Sequence, residues 1–461
     1  MSIVPASASP APRSQRLAQA LQPRHVAMIS FGGIIGAGLF VGSSGAIAKG
    51  GPAVIVTYAA CGLLIFLIMR MLGEMALARP GAGSFVEYNA VALGRWAGFV
   101  TGWLYWYFWV FTVGAETVAG AKLIHAAGVD APVWTIGFAL VVLMTLSNLL
   151  SVRAYGELEF WFAIVKVAAI AAFIAIGAAF IVLFHPQPAL DTLTSHGGLL
   201  PHGFGGTVIA VPVVIFSMMG SEVAAIAAAE SADPAHNVAR AARTVALRIL
   251  VFYVLSILVI VAILPWDSIT VGLSPFTPTL DRIGIPGGAA AMSVIIITAV
   301  LSCLNSGLYI TSRMLHELGR SGDAPAFLAG TAGKQVPAAG ILIGCAAGFA
   351  AALAQLYLRE DVFTLLASTS GDIILFIYLL IAWAQIRQRR RLEAEGRVPA
   401  FRMWLFPWLS YAVIVGILAV LVLLAFIPDQ QLTLLMSVLT LAFVLAALFL
   451  RRRRGGGVMM E

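Results

Sequence analysis

Charged residues are scarce in this chain of 461 residues, at 11%, whereas hydrophobic residues make up 61%. Soluble domains carry about 25% charged residues, so this composition excludes a disordered chain, a fibrous protein and an ordinary water-soluble enzyme. Cysteine is nearly absent, and Cys61, Cys303 and Cys345 lie in apolar runs without the spacing of a disulfide framework or a zinc site. We therefore expect an all-α polytopic membrane protein.

Several motifs of soluble proteins are also missing from the sequence. It has no P-loop and no HExxH, and Gly33, Gly36 and Gly38 do not follow the order of a dinucleotide fingerprint. The first 24 residues are polar and do not resemble a cleavable signal peptide. The net charge is +7, but the basic residues cluster beside apolar runs. We expect no metal, no cofactor and no nucleic-acid partner.

Long apolar runs dominate the sequence instead. A membrane-spanning helix needs about 20 apolar residues, and the runs of this length predict twelve spans. They lie near 25–48, 53–73, 97–123, 132–150, 158–184, 204–228, 246–265, 288–312, 337–357, 362–386, 404–427 and 430–450.

The basic residues predict the orientation of these spans. With a cytoplasmic N-terminus, 23 Lys and Arg residues fall on the cytoplasmic side and 4 fall outside, while Lys166 lies within the membrane. Because cytoplasmic loops carry the excess of basic residues, we expect both termini in the cytoplasm of a bacterium, with the spans in its inner membrane among lipids. The predicted parts are an N-terminal tail 1–24, a transport core 25–386, a cytoplasmic loop 387–403, two further spans 404–450 and a C-terminal tail 451–461.

The first and sixth apolar runs are interrupted. Residues 32–38 hold four glycines, and Pro212 precedes a second break near Gly220. Glycine disfavours a helix interior by about 1 kcal/mol, and irregular backbone in a membrane occurs where it lines a cavity or is buried in protein. Broken helices five spans apart are typical of a five-plus-five inverted repeat, with repeats near 25–184 and 204–386. Alternatively, the glycines only allow close packing of helices.

Particular segments resemble a known family. Residues 30–40 resemble the first-helix signature of the amino acid–polyamine–organocation superfamily. Residues 305–313 and 322–325 resemble two further segments of that superfamily. Bacterial amino-acid permeases of the gamma-aminobutyrate (GABA) permease type have segments similar to 94–98, 102–106, 148–152, 156–161, 228–231 and 402–404. The resemblance extends over about 25–450.

This resemblance implies a leucine-transporter-like fold, in which spans 1–5 and 6–10 are the inverted repeats. It implies import of a small zwitterionic amino acid by secondary active transport, driven by protons without sodium. GABA is the expected substrate, and proline, aromatic amino acids and lysine are alternatives because their permeases share many segments. An amino acid–amine exchanger has the same fold and is the alternative mechanism. Asp372 departs from the GABA-permease pattern, which has a small apolar residue at this position.

A zwitterion needs donors for its carboxylate and acceptors for its ammonium. Unwound backbone at the start of a half-helix supplies N–H donors and a favourable dipole. The predicted carboxylate site comprises the amides of Ile35, Gly36, Ala37 and Gly38. The carbonyl groups near Phe216 and Ser217 are the predicted ammonium acceptors, in a region that lines the pocket of related permeases. Phe216 is also the candidate gate.

Ionisable groups inside predicted spans are costly and functional by default, and three of the acids there are candidate site residues. Glu222 matches the span-six glutamate of the family, which implies substrate binding or proton coupling; alternatively, it caps amides of the second half-helix. Glu116 matches an acid of GABA permeases and is predicted to hold the distal ammonium of a long substrate. The alternative for Glu116 is a hydrogen bond to a neighbouring helix. Asp372 either substitutes for Glu116 or faces water.

Lys166 matches a span-five lysine of proton-coupled relatives. There the lysine occupies the region where sodium-coupled relatives hold a cation. The resemblance implies that its ammonium bridges span-one carbonyl groups and span-eight hydroxyls such as that of Ser302. Lys166 and Ser302 are therefore candidates for proton coupling, and a structural pin between the two repeats is the alternative.

Overall fold

The structure is a computed structural model of the chain. It describes residues 35–78, 84–150, 152–184, 186–220, 240, 244–331, 336–358, 361–397, 399 and 401–454. Within these ranges the chain forms helices and their connections, with no β-strand. This agrees with the predicted all-α class.

The helices follow one another with short connections. The earlier ones are α1 (Ala37–Phe40), α2 (Gly42–Gly50), α3 (Val54–Ala78), α4 (Phe85–Leu93), α5 (Arg95–Ala126), α6 (Val133–Leu150), α7 (Val152–Phe184), α8 (Pro186–Thr194), α9 (Gly203–Ile209) and α10 (Val211–Ser217). A π-helix, Ile249–Leu255, precedes the later ones: α11 (Ser256–Ile263), α12 (Phe276–Ile283), α13 (Gly288–Arg320), α14 (Ala338–Tyr357), α15 (Val362–Ala394), α16 (Trp408–Ala425) and α17 (Pro428–Arg454).

The described part of the chain contains eight candidate membrane spans, each long and apolar enough to cross a bilayer. The first of them, Ala37–Ala78, runs through α1, α2 and α3. Shorter apolar helices occur in α6 and across α9 and α10. Such helices satisfy their own backbone hydrogen bonds, which the hydrocarbon interior of a membrane requires.

Helix α5 lies at the centre of the packing. It packs most extensively against α15 and α13, and also against α14, α4 and α6. Every residue from Thr112 to Ala121 is buried. A helix that is covered on all sides carries Glu116, and this brings a carboxyl group into the middle of the protein.

Two helix ends meet beside α5. Helix α1 begins at Ala37 after Gly36, whose backbone is extended with φ −137° and ψ −150°. Helix α10 ends at Ser217, and a turn follows in which Gly220 has φ 92°. Helix α1 packs against α10, α13 and α5. Residues 1–34 and 221–239 lie outside the described residues, so each predicted break is described on one side.

Helix α15 extends further than predicted. The predicted span ends at 386 and a loop follows, but the helix continues to Ala394. Arg389 lies on this extra turn and pairs with the buried Glu74 of α3 at 3.3 Å. Glu74 also accepts hydrogen bonds from Gln385 at 3.1 Å and from the Met403 amide at 2.6 Å. This buried ion pair holds the added turns against α3.

Candidate functional site

The first predicted site residues surround the beginning of α1. The amide of Ala37 donates to both carboxylate oxygens of Glu116, each at 3.1 Å. Both residues are buried, and Glu116 is only 1% exposed. The contact joins α1 to α5, so the structure gives Glu116 the hydrogen bond to a neighbouring helix that was its alternative interpretation. The predicted carboxylate site therefore already holds a carboxylate of the protein.

Glycine is required here because neighbouring atoms approach the backbone closely. A Cβ atom at Gly36 would lie 2.6 Å from Cys303 Cβ and 2.6 Å from the Oε1 atom of Glu116. A Cβ atom at Gly38 would lie 2.6 Å from the Ser217 Cα, which is a backbone atom of α10. Contacts this short require a shift of the neighbours, so larger residues would push α1 away from α10 and α13.

Lys166 lies on the other side of this backbone and is fully buried. Its ammonium donates to the Ile35 carbonyl at 3.2 Å and to the Ser302 hydroxyl at 2.8 Å. It also lies 3.6 Å from the Glu159 carboxylate. The Ser302 hydroxyl in turn donates to both oxygens of Glu159, at 2.6 and 2.7 Å. The structure thus brings α1, α7 and α13 together around one ammonium group.

Glu159 is a site residue that the sequence reasoning missed. It is fully buried and precedes Lys166 by seven residues on α7, which places both side chains on one face of the helix two turns apart. An acid at this spacing from a lysine inside an apolar span is the signal that points to it. Together, Lys166, Glu159, Glu116, Ser302 and Cys303 form what we call the central cluster.

The central cluster contains more acid than base among the described residues. Lys166 carries one positive charge, whereas Glu159 and Glu116 are two carboxyl groups. Cys303 lies beside Glu116 near Gly36 and donates its thiol hydrogen to Glu116. Charges removed from water are costly unless they are paired. The single positive charge of Lys166 therefore balances only one of the two carboxyl groups when both are ionised.

The end of α10 supplies the other predicted substrate contacts. The Ser217 carbonyl accepts a hydrogen bond from the Tyr253 hydroxyl at 2.7 Å. Tyr253 lies in the π-helix, a rare conformation that is frequent at functional sites. Nothing in the sequence pattern distinguishes Tyr253 from a packing residue of an apolar run. The Ser217 carbonyl thus accepts at least one hydrogen bond from the protein.

Phe216, the predicted gate, is part of an aromatic contact between three helices. Its ring centroid lies 6.4 Å from that of Phe108 on α5 and 6.4 Å from that of Phe363 on α15. Only 5% of Phe216 is exposed. The ring therefore closes one side of the α1 and α10 contact in this conformation.

Asp372, another predicted acid, does not join the central cluster. Asp372 is fully buried, which corrects the prediction that it faces water. It contacts Ser437 of α17 at 3.4 Å, and its second oxygen has no partner among the described residues. Its helix, α15, packs on α17 at this position, and this removes the side chain from solvent. Glu222 lies outside the described residues.

Apolar helices around interrupted backbone and a buried ionic cluster are typical of membrane transport proteins. The profile of the amino acid permease family matches residues 25–455. The chain belongs to the amino acid permease family. It is a multi-pass membrane transporter for a small amino acid and not an enzyme.

Its relatives include named GABA permeases. The gamma-aminobutyric acid permease of Bacillus subtilis (strain 168) is 44% identical over 442 residues, which cover 95% of this chain and 94% of the relative. The gamma-aminobutyric acid permease of Escherichia coli (strain K12) is 44% identical over 416 residues, or 89% of each chain. An aromatic amino acid transport protein of Corynebacterium glutamicum is 37% identical over 409 residues, covering 87% of this chain and 88% of the relative.

Proposed function

We propose that the protein imports GABA by proton symport across the inner membrane of a bacterium. We also propose that the chain crosses the membrane twelve times, contains two five-helix inverted repeats and has both termini in the cytoplasm. In the repeats, the interrupted first and sixth spans alternate between access to the two sides of the membrane. The choice of GABA rests on the names of relatives that are 44% identical to this chain.

The observation that carries proton coupling is the position of the Lys166 ammonium. It lies between the Ile35 carbonyl and the Ser302 hydroxyl, with Glu159 at 3.6 Å. Carbonyl and hydroxyl oxygens are ligands of hard cations, and a fixed ammonium among them leaves no place for a second cation. We therefore expect transport without sodium, with Lys166 and Ser302 as part of the proton-coupling group. Glu222 remains a further candidate for this group.

The substrate carboxylate binds to the amides at the start of α1, from Ile35 to Gly38. Glu116 supports this assignment, because a carboxylate of the protein already accepts the Ala37 amide. The ammonium binds at the carbonyl groups of Phe216 and Ser217, where Gly38 brings α1 against α10. Burying an unpaired ammonium costs several kcal/mol.

GABA separates its ammonium from its carboxylate by three carbons, so a further acceptor is needed. Glu116 and Glu222 stay predictions for this role. For Glu116, the role requires that its carboxylate first leaves the Ala37 amide.

A second candidate substrate is an aromatic amino acid, which the 37% identical relative from C. glutamicum favours. A competition screen separates the two. The purified protein in proteoliposomes takes up labelled GABA while unlabelled GABA, proline, phenylalanine or lysine is present in excess. Inhibition by GABA alone supports the proposal. Inhibition by phenylalanine but not by GABA, or labelled phenylalanine uptake without GABA uptake, contradicts it.

A further inference from the structure

We propose that Glu116 competes with the substrate carboxylate for the Ala37 amide and leaves that amide when it takes up a proton. Each substrate molecule then enters with one proton on Glu116. This inference rests on the proposed function and adds the group that carries the proton. It also explains why substrate and proton bind together.

The competition follows from the geometry of the amide. Both Glu116 oxygens lie 3.1 Å from the Ala37 nitrogen, and the two oxygens of an amino-acid carboxylate present the same pair of acceptors. A single N–H group does not serve two carboxylates at full strength. Gly36 shows how tightly Glu116 fits, because a Cβ atom there would lie 2.6 Å from Oε1. A substrate carboxylate therefore reaches Ala37 only after Glu116 has moved.

Charge decides which form of Glu116 moves. With both carboxyl groups ionised, the central cluster holds two negative charges against the one positive charge of Lys166. A substrate carboxylate would add a third negative charge beside the same lysine. An uncompensated charge in the interior costs several kcal/mol. A proton on Glu116 removes one negative charge, so the substrate carboxylate replaces the Glu116 carboxylate without adding negative charge at the start of α1, while the substrate ammonium is held by the carbonyl groups of Phe216 and Ser217.

The proton is assigned to Glu116 because its partners are neutral. It accepts hydrogen bonds from the Ala37 amide and the Cys303 thiol. Glu159, by contrast, lies 3.6 Å from the Lys166 ammonium and accepts the Ser302 hydroxyl with both oxygens. Hydrogen bonds and nearby opposite charge stabilise a carboxylate, and Glu159 has both at short distance, so we assign the proton to Glu116.

The exchange of partners is balanced. A proton from water on the side to which the site is open binds to one oxygen of Glu116. The hydrogen bond from Ala37 to Glu116 then breaks, and one to the substrate carboxylate forms. On the other side the substrate leaves, the proton returns to water and Glu116 regains the amide. The titratable groups that act on Glu116 in the described residues are Lys166 on α7 and Cys303 on α13, and Glu159 lies beyond them against Lys166 and Ser302.

Calorimetry of GABA binding to the purified full chain tests this proposal. Binding heats in two buffers of different ionisation enthalpy give the number of protons taken up per substrate. We expect about one proton per substrate for the wild type. The affinity for GABA should fall about tenfold per pH unit above the pH at which Glu116 of the free protein loses its proton. In Glu116→Gln the side chain is neutral at every pH. The proton number should fall to near zero, and the affinity should no longer depend on pH.

Asp372→Asn is the matched control. It removes another fully buried carboxyl group, which contacts Ser437 of α17 and not Ala37. Its proton number should remain about one. A second measurement needs no variant: the infrared difference spectrum of the wild type on GABA addition should gain a protonated carboxyl band.

A proton number of about one in folded Glu116→Gln, or a wild-type spectrum without that band, overturns the role of Glu116. Wild-type proton-driven uptake measured in parallel keeps this failure separate from the proposed function. If uptake follows the proton gradient while Glu116→Gln still takes up its proton, only this inference fails. If wild-type uptake ignores the proton gradient, the proposed function fails instead.

Discussion

Replacing Lys166 by alanine should destabilise the protein strongly and end proton-driven uptake. The Lys166 ammonium is fully buried and contacts the Ile35 carbonyl, the Ser302 hydroxyl and the Glu159 carboxylate. Removing one partner of a buried ion pair costs about 3–5 kcal/mol because the other charge is left unpaired. We expect a loss of that size in the free energy of unfolding.

A paired variant separates stability from coupling. In Lys166→Met with Glu159→Gln both charges are gone, and replacing a buried pair by uncharged groups is close to neutral in stability. The double variant should therefore unfold at nearly the wild-type temperature, as followed by protein fluorescence in detergent. In proteoliposomes it should still fail to accumulate substrate under an imposed proton gradient. Full proton-driven accumulation in folded Lys166→Ala, or an unchanged unfolding temperature, would refute the reasoning.

Further predictions concern the backbone site, the C-terminal end of α5 and the substrate. Gly36→Val should abolish GABA binding, because the valine side chain would meet Cys303 and Glu116. The control Gly416→Val, at an open position on α16, should bind GABA normally. Normal GABA binding by folded Gly36→Val would favour the interpretation that the glycines only allow close packing of helices. Asp361 lies in the connection before α15, where burial alone would raise the pKa of its carboxyl, but hydrogen bonds from Lys122 and Thr364 bring that pKa below its usual value. A lowered pKa stabilises the folded state at pH values above the unfolded pKa of about 4. The stability advantage of the wild type over Asp361→Asn should therefore disappear as pH falls below that value. Thermal unfolding of both proteins from pH 3 to 7 tests this, and a constant difference in unfolding temperature contradicts it. Glu116→Gln separates the two roles of that residue: a loss of binding confined to GABA supports the ammonium acceptor, and loss of pH dependence for GABA and transported α-amino acids alike supports competition at Ala37.

The sequence predicted the helices and the start of α1 well, because apolar length and glycine position are local properties. The predicted ninth span, 337–357, differs from α14 (Ala338–Tyr357) by one residue at its start. The helical turns beyond the predicted end of span ten were not expected from the sequence, because they depend on a contact distant in sequence. Arg389 continues the helix by pairing with Glu74, more than 300 residues earlier.

The site was predictable to the extent that single residues are unusual in apolar runs. Lys166 and Glu116 stand out in this way, and the resemblance implied the Ser302 contact. Glu159 was overlooked because it lies near the start of its span, although its spacing to Lys166 places both on one face. Tyr253 reaches Ser217 only through the π-helix, and no sequence pattern predicts that local change of register. The pairing of Glu116 with Ala37 required the packing of α5 against α1, which is a tertiary property.

The most direct test of proton-coupled GABA import is uptake of labelled GABA into proteoliposomes under separately imposed gradients. We expect accumulation with an inward proton gradient in sodium-free buffer, collapse on addition of a protonophore, and no stimulation by an inward sodium gradient. Proteoliposomes that contain Lys166→Ala should show only the background of empty vesicles. A strict requirement for sodium, or GABA uptake that is unaffected by the protonophore, would contradict the account.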